Sequence, residues 1–410
     1  MSGYNIAKLF PFRSVKITKI DVTDDKQVIV SIEPDRRFTP VCSGCLQKVS
    51  SVHSYRKRIL RDMPMSGAKA LIIYTYRMLR CPKCGQKVEH HDFVEPYSRI
   101  TRRYSRYVYQ LCKVMSIYDV ATHTGLSWDQ VRHIDQKYLA ARFSKQTITN
   151  IDILCIDEIS IKKRHNYLTI IADYMTGRVI HVARKRTYET VVRFLKSLSK
   201  QTRTSIKAVA MDMWNPYIKA FTRYCPHALI VFDPFHVIAA FSRVIDKIRV
   251  EQYRNADTEL KNMMKRSRFL LLKNPENLND KERPRLERLL KENELLSSVY
   301  LLKAYLKRIW QYKRPGWARK FLDYWCTLAY ETGCRHLIGF AKMLLRHSDG
   351  LINHCHFPIH TGKLEGINNK IKLIKRKAYG FRDIEYFILK IMQATCNSFS
   401  EEPYFIIFVF

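Results

Sequence analysis

The chain has 410 residues, of which 46% are hydrophobic and 27% charged, so it can bury a sizeable core and is not a wholly disordered polymer. Its 72 Lys+Arg outnumber 37 Asp+Glu and leave a formal net charge of +35. That excess points to a polyanionic partner, nucleic acid first, and makes an acidic small molecule an insufficient explanation.

A basic membrane-surface protein is the competing reading. The longest apolar run, Tyr404 to Phe410, is far short of the roughly 20 residues that span a bilayer. The opening MSGYNIAKLFPFRS lacks the apolar core of a signal peptide. Eleven cysteines, an odd number, argue against a disulfide framework and for a metal site in a reducing compartment.

Residues 1–97 alternate β-rich runs (Val28–Ile32, Ala70–Tyr76) with turn clusters. Cys42-Ser-Gly-Cys45 and Cys81-Pro-Lys-Cys84 are two C-x₂-C pairs separated by 35 residues. Each pair can wrap a tight turn around one metal, and four thiolates satisfy tetrahedral Zn²⁺ in a structural site. Four unrelated cysteines is the plainer alternative, and His53, His90 and His91 are possible substitutes. Arg56, Lys57, Arg58, Arg61, Lys69 and Arg77 lie between the pairs and suit phosphate contacts, or form a merely solvated basic face.

Residues 98–145 are helical in pattern and rich in Arg and Tyr. Within them Ser116 to Ile134 reads SIYDVATHTGLSWDQVRHI. Ala121, Gly125 and Val131 fit the small, turn and core positions of a helix-turn-helix, and Ser127 would cap the second helix. Trp128, Asp129, Gln130, Arg132 and His133 then fall near the exposed side, where such a helix enters a major groove. An ordinary helical hairpin has the same local pattern.

Residues 150–240 alternate strands and helices in the order β-β-β-α-β-α-β-α. Ile151–Ser160 is a nearly continuous apolar strand ending in Asp157. Strands around Tyr167–Ala172 and Arg178–Val182 flank Gly177, and a helix covers Thr187–Ser199. The strand Ser205–Met211 ends in Asp212, a helix starts at Pro216, and the strand His227–Phe232 ends in Asp233-Pro-Phe-His236.

Acidic residues at the carboxyl ends of buried strands share one edge of a sheet. With few cationic partners nearby, such carboxylates repel one another unless cations neutralise them, and Mg²⁺ is the natural oxygen-seeking ion. Two such ions about 3.5–4 Å apart support phosphodiester displacement. Glu158, like Asp152, points to the opposite face by strand parity, so Asp157 is the candidate from that strand. Turn capping or strand-end solubilisation is the competing reading for these acids.

Residues 241–355 are almost purely helical in pattern, with Leu289, Leu290, Leu295, Leu296, Val299, Leu302, Leu306 and Ile309 near helical spacing and Pro275, Pro284 and Pro315 as expected breaks. In residues 356–400, Leu364, Ile367, Ile371, Ile374 and Ala378 form an apolar helical stripe, with Glu365, Asn369, Lys372 and Arg376 on another face. Gly366 costs about 1 kcal/mol in a helix interior, a hint of a helix start or a close backbone approach. This segment can present Glu365 to metals, or be a solvated basic amphipathic helix.

The order of the two Cys pairs, the helix-turn-helix, Cys-Ile-Asp157-Glu, Met-Asp212-Met-Trp-Asn-Pro-Tyr, Phe-Asp233-Pro-Phe-His236 and Lys-Leu-Glu365-Gly-Ile-Asn-Asn-Lys-Ile-Lys with Tyr-Gly-Phe-Arg resembles the ISL-three family of DDE transposases of bacterial insertion sequences. The resemblance covers nearly the whole chain. It implies an α/β chain with a ribonuclease-H-like catalytic core interrupted by a helical insertion at 241–355 and preceded by a zinc-binding module and a helix-turn-helix.

The implied triad is Asp157, Asp212 and Glu365, holding two Mg²⁺ (or Mn²⁺) ions, with Asp233 and His236 as possible auxiliaries. The implied chemistry is cleavage at the element ends and transfer of the 3′-hydroxyl strands to target DNA. Asn369, Lys370, Lys372, Lys375, Arg376 and Lys377 are expected to meet DNA near that site. The zinc module and helix-turn-helix, through Trp128, Gln130, Arg132 and His133, are expected to recognise the terminal inverted repeats. A homodimer or higher oligomer on DNA, a cytoplasmic nucleoid-associated location and no membrane partner complete these expectations. A non-catalytic DNA-binding regulator and a metal-dependent nuclease without strand transfer are the alternatives.

Overall fold

The structure, a computed structural model, describes residues 10, 12–143, 148–149, 151–162, 166–359 and 362–396. The chain divides into two compact units, Met1–Ser144 and Lys145–Phe410.

The first unit opens with β1 (Val15–Thr23), β2 (Gln27–Pro34), β3 (Val52–Met65), β4 (Ala68–Cys81) and β5 (Gly85–Val88). They form one sheet of order β1-β2-β4-β3, with β5 also paired to β4. In β4, Ala70, Ile72 and Tyr74 are buried while the residues between them are not, the period of two that a sheet with one covered face requires. Ile72 and Tyr74 pack with Val30, Ile32 and Leu60.

Three helices follow: α1 (Arg102–Val114), α2 (Ile117–Thr124) and α3 (Trp128–Phe143). Helix α2 starts in a reciprocal capping box between Ser116 and Asp119 and stops at Gly125, whose φ of 65° is cheap only for glycine. As expected from the sequence, Ser127 caps α3. Its Oγ accepts from the Gln130 amide at 3.2 Å, while the Gln130 side chain accepts from the Ser127 amide at 3.0 Å.

The second unit contains β6 (Ile153–Lys162), β7 (Asn166–Asp173), β8 (Val179–Arg184), α4 (Tyr188–Ser197), α5 (Lys200–Ser205), β9 (Ala208–Met211), α6 (Asn215–Tyr224), β10 (Leu229–Phe232) and α7 (Pro234–Asn255). Strand order is β10-β9-β6-β7-β8. β10, β9 and β6 run parallel, whereas β6, β7 and β8 are antiparallel.

A helical stretch continues with α8 (Thr258–Met264), α9 (Arg268–Leu272), α10 (Glu282–Lys291), α11 (Glu294–Leu306), α12 (Pro315–Glu331), α13 (Arg335–Arg346) and α14 (Ser348–Ile352), and the chain returns through α15 (Gly362–Lys377) and α16 (Ile384–Thr395). The sheet is covered on both faces. Leu154 and Ile156 of β6 pack toward α4, α6 and α7, in a core that runs on into the helical stretch. Cys155 and Ile159 pack toward Leu364, Ile367 and Ile371 of α15 and toward α16. The apolar stripe read from the sequence is thus the buried side of α15 from Leu364 to Ile374, whereas Ala378, past the end of the helix, is exposed. Gly350 of α14 lies so close to β10 that a Cβ there would sit 2.2 Å from the Phe232 ring.

Four local expectations are corrected. Asp157 does not end its strand, because β6 runs on to Lys162 in a hairpin with β7. The helix expected over Thr187–Ser199 stops at Ser197, and Ser199 caps a new helix, its Oγ accepting from the Thr202 amide at 3.0 Å. Ser205 therefore ends α5 rather than opening a strand. Pro284 lies in the first turn of α10, where a missing N–H costs nothing, and does not separate helices. No helix among the described residues is long and apolar enough to cross a membrane.

Candidate active site and metal centres

In the first unit, the Sγ atoms of Cys42, Cys45, Cys81 and Cys84 all lie within 4.8 Å of one another. Cys45 and Cys81 are 3.6 Å apart. Zinc–sulfur bonds of about 2.3 Å give a tetrahedral edge of about 3.8 Å, so the donor set is compatible with zinc.

The local chain explains the arrangement. β4 and β5 form a tight hairpin in which Cys81 pairs with Gly85, whose φ is 70°. A Cβ on Gly44 would sit 3.0 Å from the Cys84 sulfur, so any larger residue there would press on the cluster. The histidines stand apart from this cluster. His91 is buried with Nε2 3.2 Å from Glu89, and His53 Nδ1 contacts Ser54 Oγ at 3.1 Å. Arg77, expected on a phosphate-facing surface, is instead buried in an ion pair with Glu89 at 2.7 Å. It lies in the run Arg77–Leu79, where β4 is covered on both faces, and a list of cations does not reveal that. Arg56, Lys57 and Lys69 are exposed.

On α3, Trp128, Asp129, Gln130 and His133 are exposed, and the Arg132 guanidinium lies 5.5 Å from the Trp128 ring. Val131 is fully buried, and Ala121 of α2 is half-buried.

The second unit gathers its acids where the sheet opens. The β6–β9 ladder ends at Cys155↔Ala210. Asp157, two residues on, faces a gap on that side and is 16% exposed. Asp212 directly follows β9, and Asp233 directly follows β10. The Asp233 carboxylate caps α7 by accepting from the Phe235 amide at 2.8 Å. His236, one turn into α7, places Nε2 3.9 Å from Asp157 Oδ1 and 3.8 Å from Asp233 Oδ2.

Burial raises the Asp212 carboxyl above its ordinary range; Asp157 adds to the shift, while His236 and Arg186 oppose it. Burial likewise raises Asp233, with Asp157 and Asp212 reinforcing it. Glu158, on the opposite parity of β6, is raised by burial and by Asp212. The scarcity of cations expected from the sequence is corrected. Arg186 lies 3.7 Å from Glu158 and is held between the rings of Tyr167 and Trp214, at 4.8 and 4.5 Å.

Helix α15 joins this cluster through Asn368, whose amide donates to Asp157 Oδ2. Glu365 is exposed in the first turn of α15, three residues before Asn368 and hence on the same side of the helix. The sequence reading paired Glu365 with Asn369; Asn368 is the residue it missed. The usable signal was the position of Asn368 beside Ile367 and Ile371, at the edge of the buried stripe. Asn369, Lys370, Lys372, Arg376 and Lys377 are exposed, whereas the Lys375 ammonium reaches the Ile161 carbonyl of β6.

Crowded, partly desolvated carboxylates with raised proton affinity are a donor set that hard divalent cations fit, since a cation replaces the protons that would otherwise relieve the repulsion.

Residues 154–391 match a family described as transposase, of the DDE type of ISL3, and residues 89–139 match the helix-turn-helix domain of transposase family ISL3. Fold, acidic cluster and these matches together define a transposase. The chain is 36% identical over 358 residues to the transposase for insertion sequence element IS1001 of Bordetella parapertussis, covering 86% of this chain and 88% of that one. It is 24% identical over 406 residues to the transposase for insertion sequence element IS1557 of Mycobacterium tuberculosis, covering 92% and 90%. The chain belongs to transposase family ISL3, as its motif order led us to expect.

Proposed function

We propose that the second unit cleaves DNA at the ends of an insertion sequence and joins the freed 3′-hydroxyl strands to target DNA, with Asp157, Asp212 and Glu365 as the catalytic carboxylates. The observation that carries this reading is the bond from Asn368 to Asp157. It ties the face of α15 that bears Glu365 to the strand bearing the first aspartate, next to Asp212. The strand order β10-β9-β6-β7-β8, with three antiparallel strands followed by two parallel ones, supports a ribonuclease-H-like core in which 241–355 is an insertion.

Asp157, Asp212 and Glu365 would hold two Mg²⁺ or Mn²⁺ ions, which supply activation of the attacking oxygen and stabilisation of the leaving one when bound. Asn368 donates to Asp157 Oδ2 while Asp157 Oδ1 accepts from the Glu158 amide at 2.7 Å, so both carboxylate oxygens are held in fixed directions toward the cluster. Arg186, locked between two rings, offsets the buried charge of Glu158 without swinging into the cleft. Asp233 and His236 support the cluster: Asp233 is anchored to the α7 backbone, and His236 bridges it to Asp157. In the first unit, Cys42, Cys45, Cys81 and Cys84 would hold structural Zn²⁺. Trp128, Gln130, Arg132 and His133 would read the terminal repeats, while Asn369, Lys370, Lys372, Arg376 and Lys377 would meet the backbone near the cleavage point. A dimer or higher assembly on DNA, associated with the nucleoid, follows from the need to bring two ends together.

The test supplies purified protein, Mg²⁺ or Mn²⁺ and a labelled fragment carrying an element end. Nicked and joined products with wild type, and neither with Asp212→Asn at preserved DNA binding, are expected. Nicking without joining would replace the reading with a simple nuclease; binding without either reaction would replace it with a regulator.

A further inference from the structure

Helix α7 begins at the acidic cluster and continues well past it. His236 turns toward Asp157, but Phe235, its neighbour, turns to solvent and is 61% exposed. A large apolar ring left in water at the mouth of a candidate active site calls for a partner. From Phe235 a groove follows one face of α7, bordered by Ser242, Arg243, Asp246 and Lys247 and closed on its far side by Arg268 of α9. Arg243, Lys247 and Arg268 are exposed. The single acid in this wall, Asp246, is already held by Arg249 at 2.8 Å and by Arg268 at 3.3 Å. The groove is therefore net cationic, and Phe269 gives it a second exposed ring beside Arg268, with the guanidinium 5.7 Å from that ring.

We infer that this groove is a track for single-stranded DNA leading to the acidic cluster, with Phe235 as a platform on which one base stacks. The inference deepens the proposed function and rests on it for the identity of the strand. Three physical features select the occupant. The cations complement a phosphate chain. An exposed ring at the cleft entrance matches the π-face of an unpaired base, which every base offers. And the twelve-residue span from Phe235 to Lys247 is about 18 Å of helix, the length of about five stacked nucleotides at 3.4 Å each. A duplex keeps its bases paired inside and has no face for Phe235; a strand freed near the cleavage point does.

The test uses the full chain and a fluorescein-labelled oligothymidylate followed by anisotropy. The triple variant Arg243→Ala/Lys247→Ala/Arg268→Ala should lose about tenfold in affinity and flatten the salt dependence by about two in slope, since single strands release about 0.7 counterions per neutralised phosphate. A control that removes three exposed cations from α10 and its start, Lys281→Ala/Arg288→Ala/Lys291→Ala, should stay near wild type. Phe235→Ala should lose about tenfold, the scale of one lost base–ring stack, while Phe235→Trp retains binding. A groove variant that binds the strand like wild type, or a loss shared equally by the α10 control, overturns the inference; so does a Phe235→Ala protein that binds unchanged. Failure of the catalytic reading shows up separately: Asp157→Asn that still cleaves would remove the triad yet leave the strand track standing.

Discussion

The two metal-type centres make an instructive pair. The thiol cluster of the first unit is built from two short turns, and its four sulfurs close on one another. The acidic cluster of the second unit draws on β6, the ends of β9 and β10, and α15, and it is open: Asp157 retains solvent contact, and Glu365 is exposed. Sulfur donors that fill all four positions leave no room for a reactant, which is the condition of a structural site. Oxygen donors at the opened edge of a sheet leave positions for water and a phosphodiester, which is the condition of a reactive one. The difference lies in how many positions the protein leaves vacant, more than in the charge it brings.

That contrast is tested most severely at the sulfurs. Cys45→Ser should abolish binding of about one zinc per chain and unfold the β4–β5 knuckle, because structural zinc contributes on the order of 10 kcal/mol to the fold that holds it. Metal analysis combined with amide exchange across residues 78–90 measures both. Retained zinc with an intact knuckle would show the cluster to be a packing of thiols. At the acids, the expected loss falls on reaction and not on fold. Asp157→Asn and Asp212→Asn should each reduce end cleavage about a thousandfold or more, the rate equivalent of losing several kcal/mol of transition-state stabilisation. Because burial already raises Asp212, its amide variant should melt no lower than wild type without divalent ions. A lower melting point there would make Asp212 a structural acid.

The same contrast governs what could be read from the sequence. The thiol pairs were legible because each C-x₂-C is local: spacing alone fixes a turn. The cap of α3 was legible for the same reason, with Ser127 bonded three residues on. The strands that carry Asp157, Asp212 and Asp233 were legible as apolar runs, and parity correctly sent Glu158 to the opposite face. What could not be read is which residues meet across the fold. The end of the β6–β9 ladder at Cys155 creates the gap at Asp157, and no property of β6 itself announces it. Arg186 reaches Glu158 from beyond the end of β8, through two rings distant in sequence. Asn368 lost to Asn369 because helical spacing ranks faces only to within one residue until a neighbour fixes the rotation.

Asn368→Ala sharpens the comparison at its weakest joint, the link between strand and helix. Supporting groups of this kind typically cost 10–100-fold when removed, so end cleavage should fall within that range, with DNA binding retained. Asn368→Asp should be worse, since it adds a fifth carboxylate beside Asp157. Asn369→Ala, on the exposed neighbouring position, should change cleavage far less. If the Asn369 variant is the crippled one, the helix sits rotated from the arrangement described, and the assignment of Glu365 falls with it.

The smallest effect separates the acidic site from the sheet that carries it. His181 of β8 packs against the Phe194 ring at 5.0 Å, and burial first, then Arg193, lowers its pKa to about 4. The unfolded chain titrates this group near 6.5. Between those two values the unfolded state binds the proton and the native state does not, so stability rises with pH across that window and is complete above 6.5. Acidifying from pH 7 to pH 4 should therefore weaken the second unit by about 1–2 kcal/mol through His181 alone, after allowing for its remaining solvent contact. The buried carboxylates act with the opposite sign, because their raised proton affinity favours the native state as pH falls. Denaturant unfolding of His181→Phe, in chelator so that no divalent ion contributes, should show a flatter pH profile than wild type between 4 and 6.5. An unchanged profile would move the acid sensitivity of this sheet away from β8 and onto groups on its other strands.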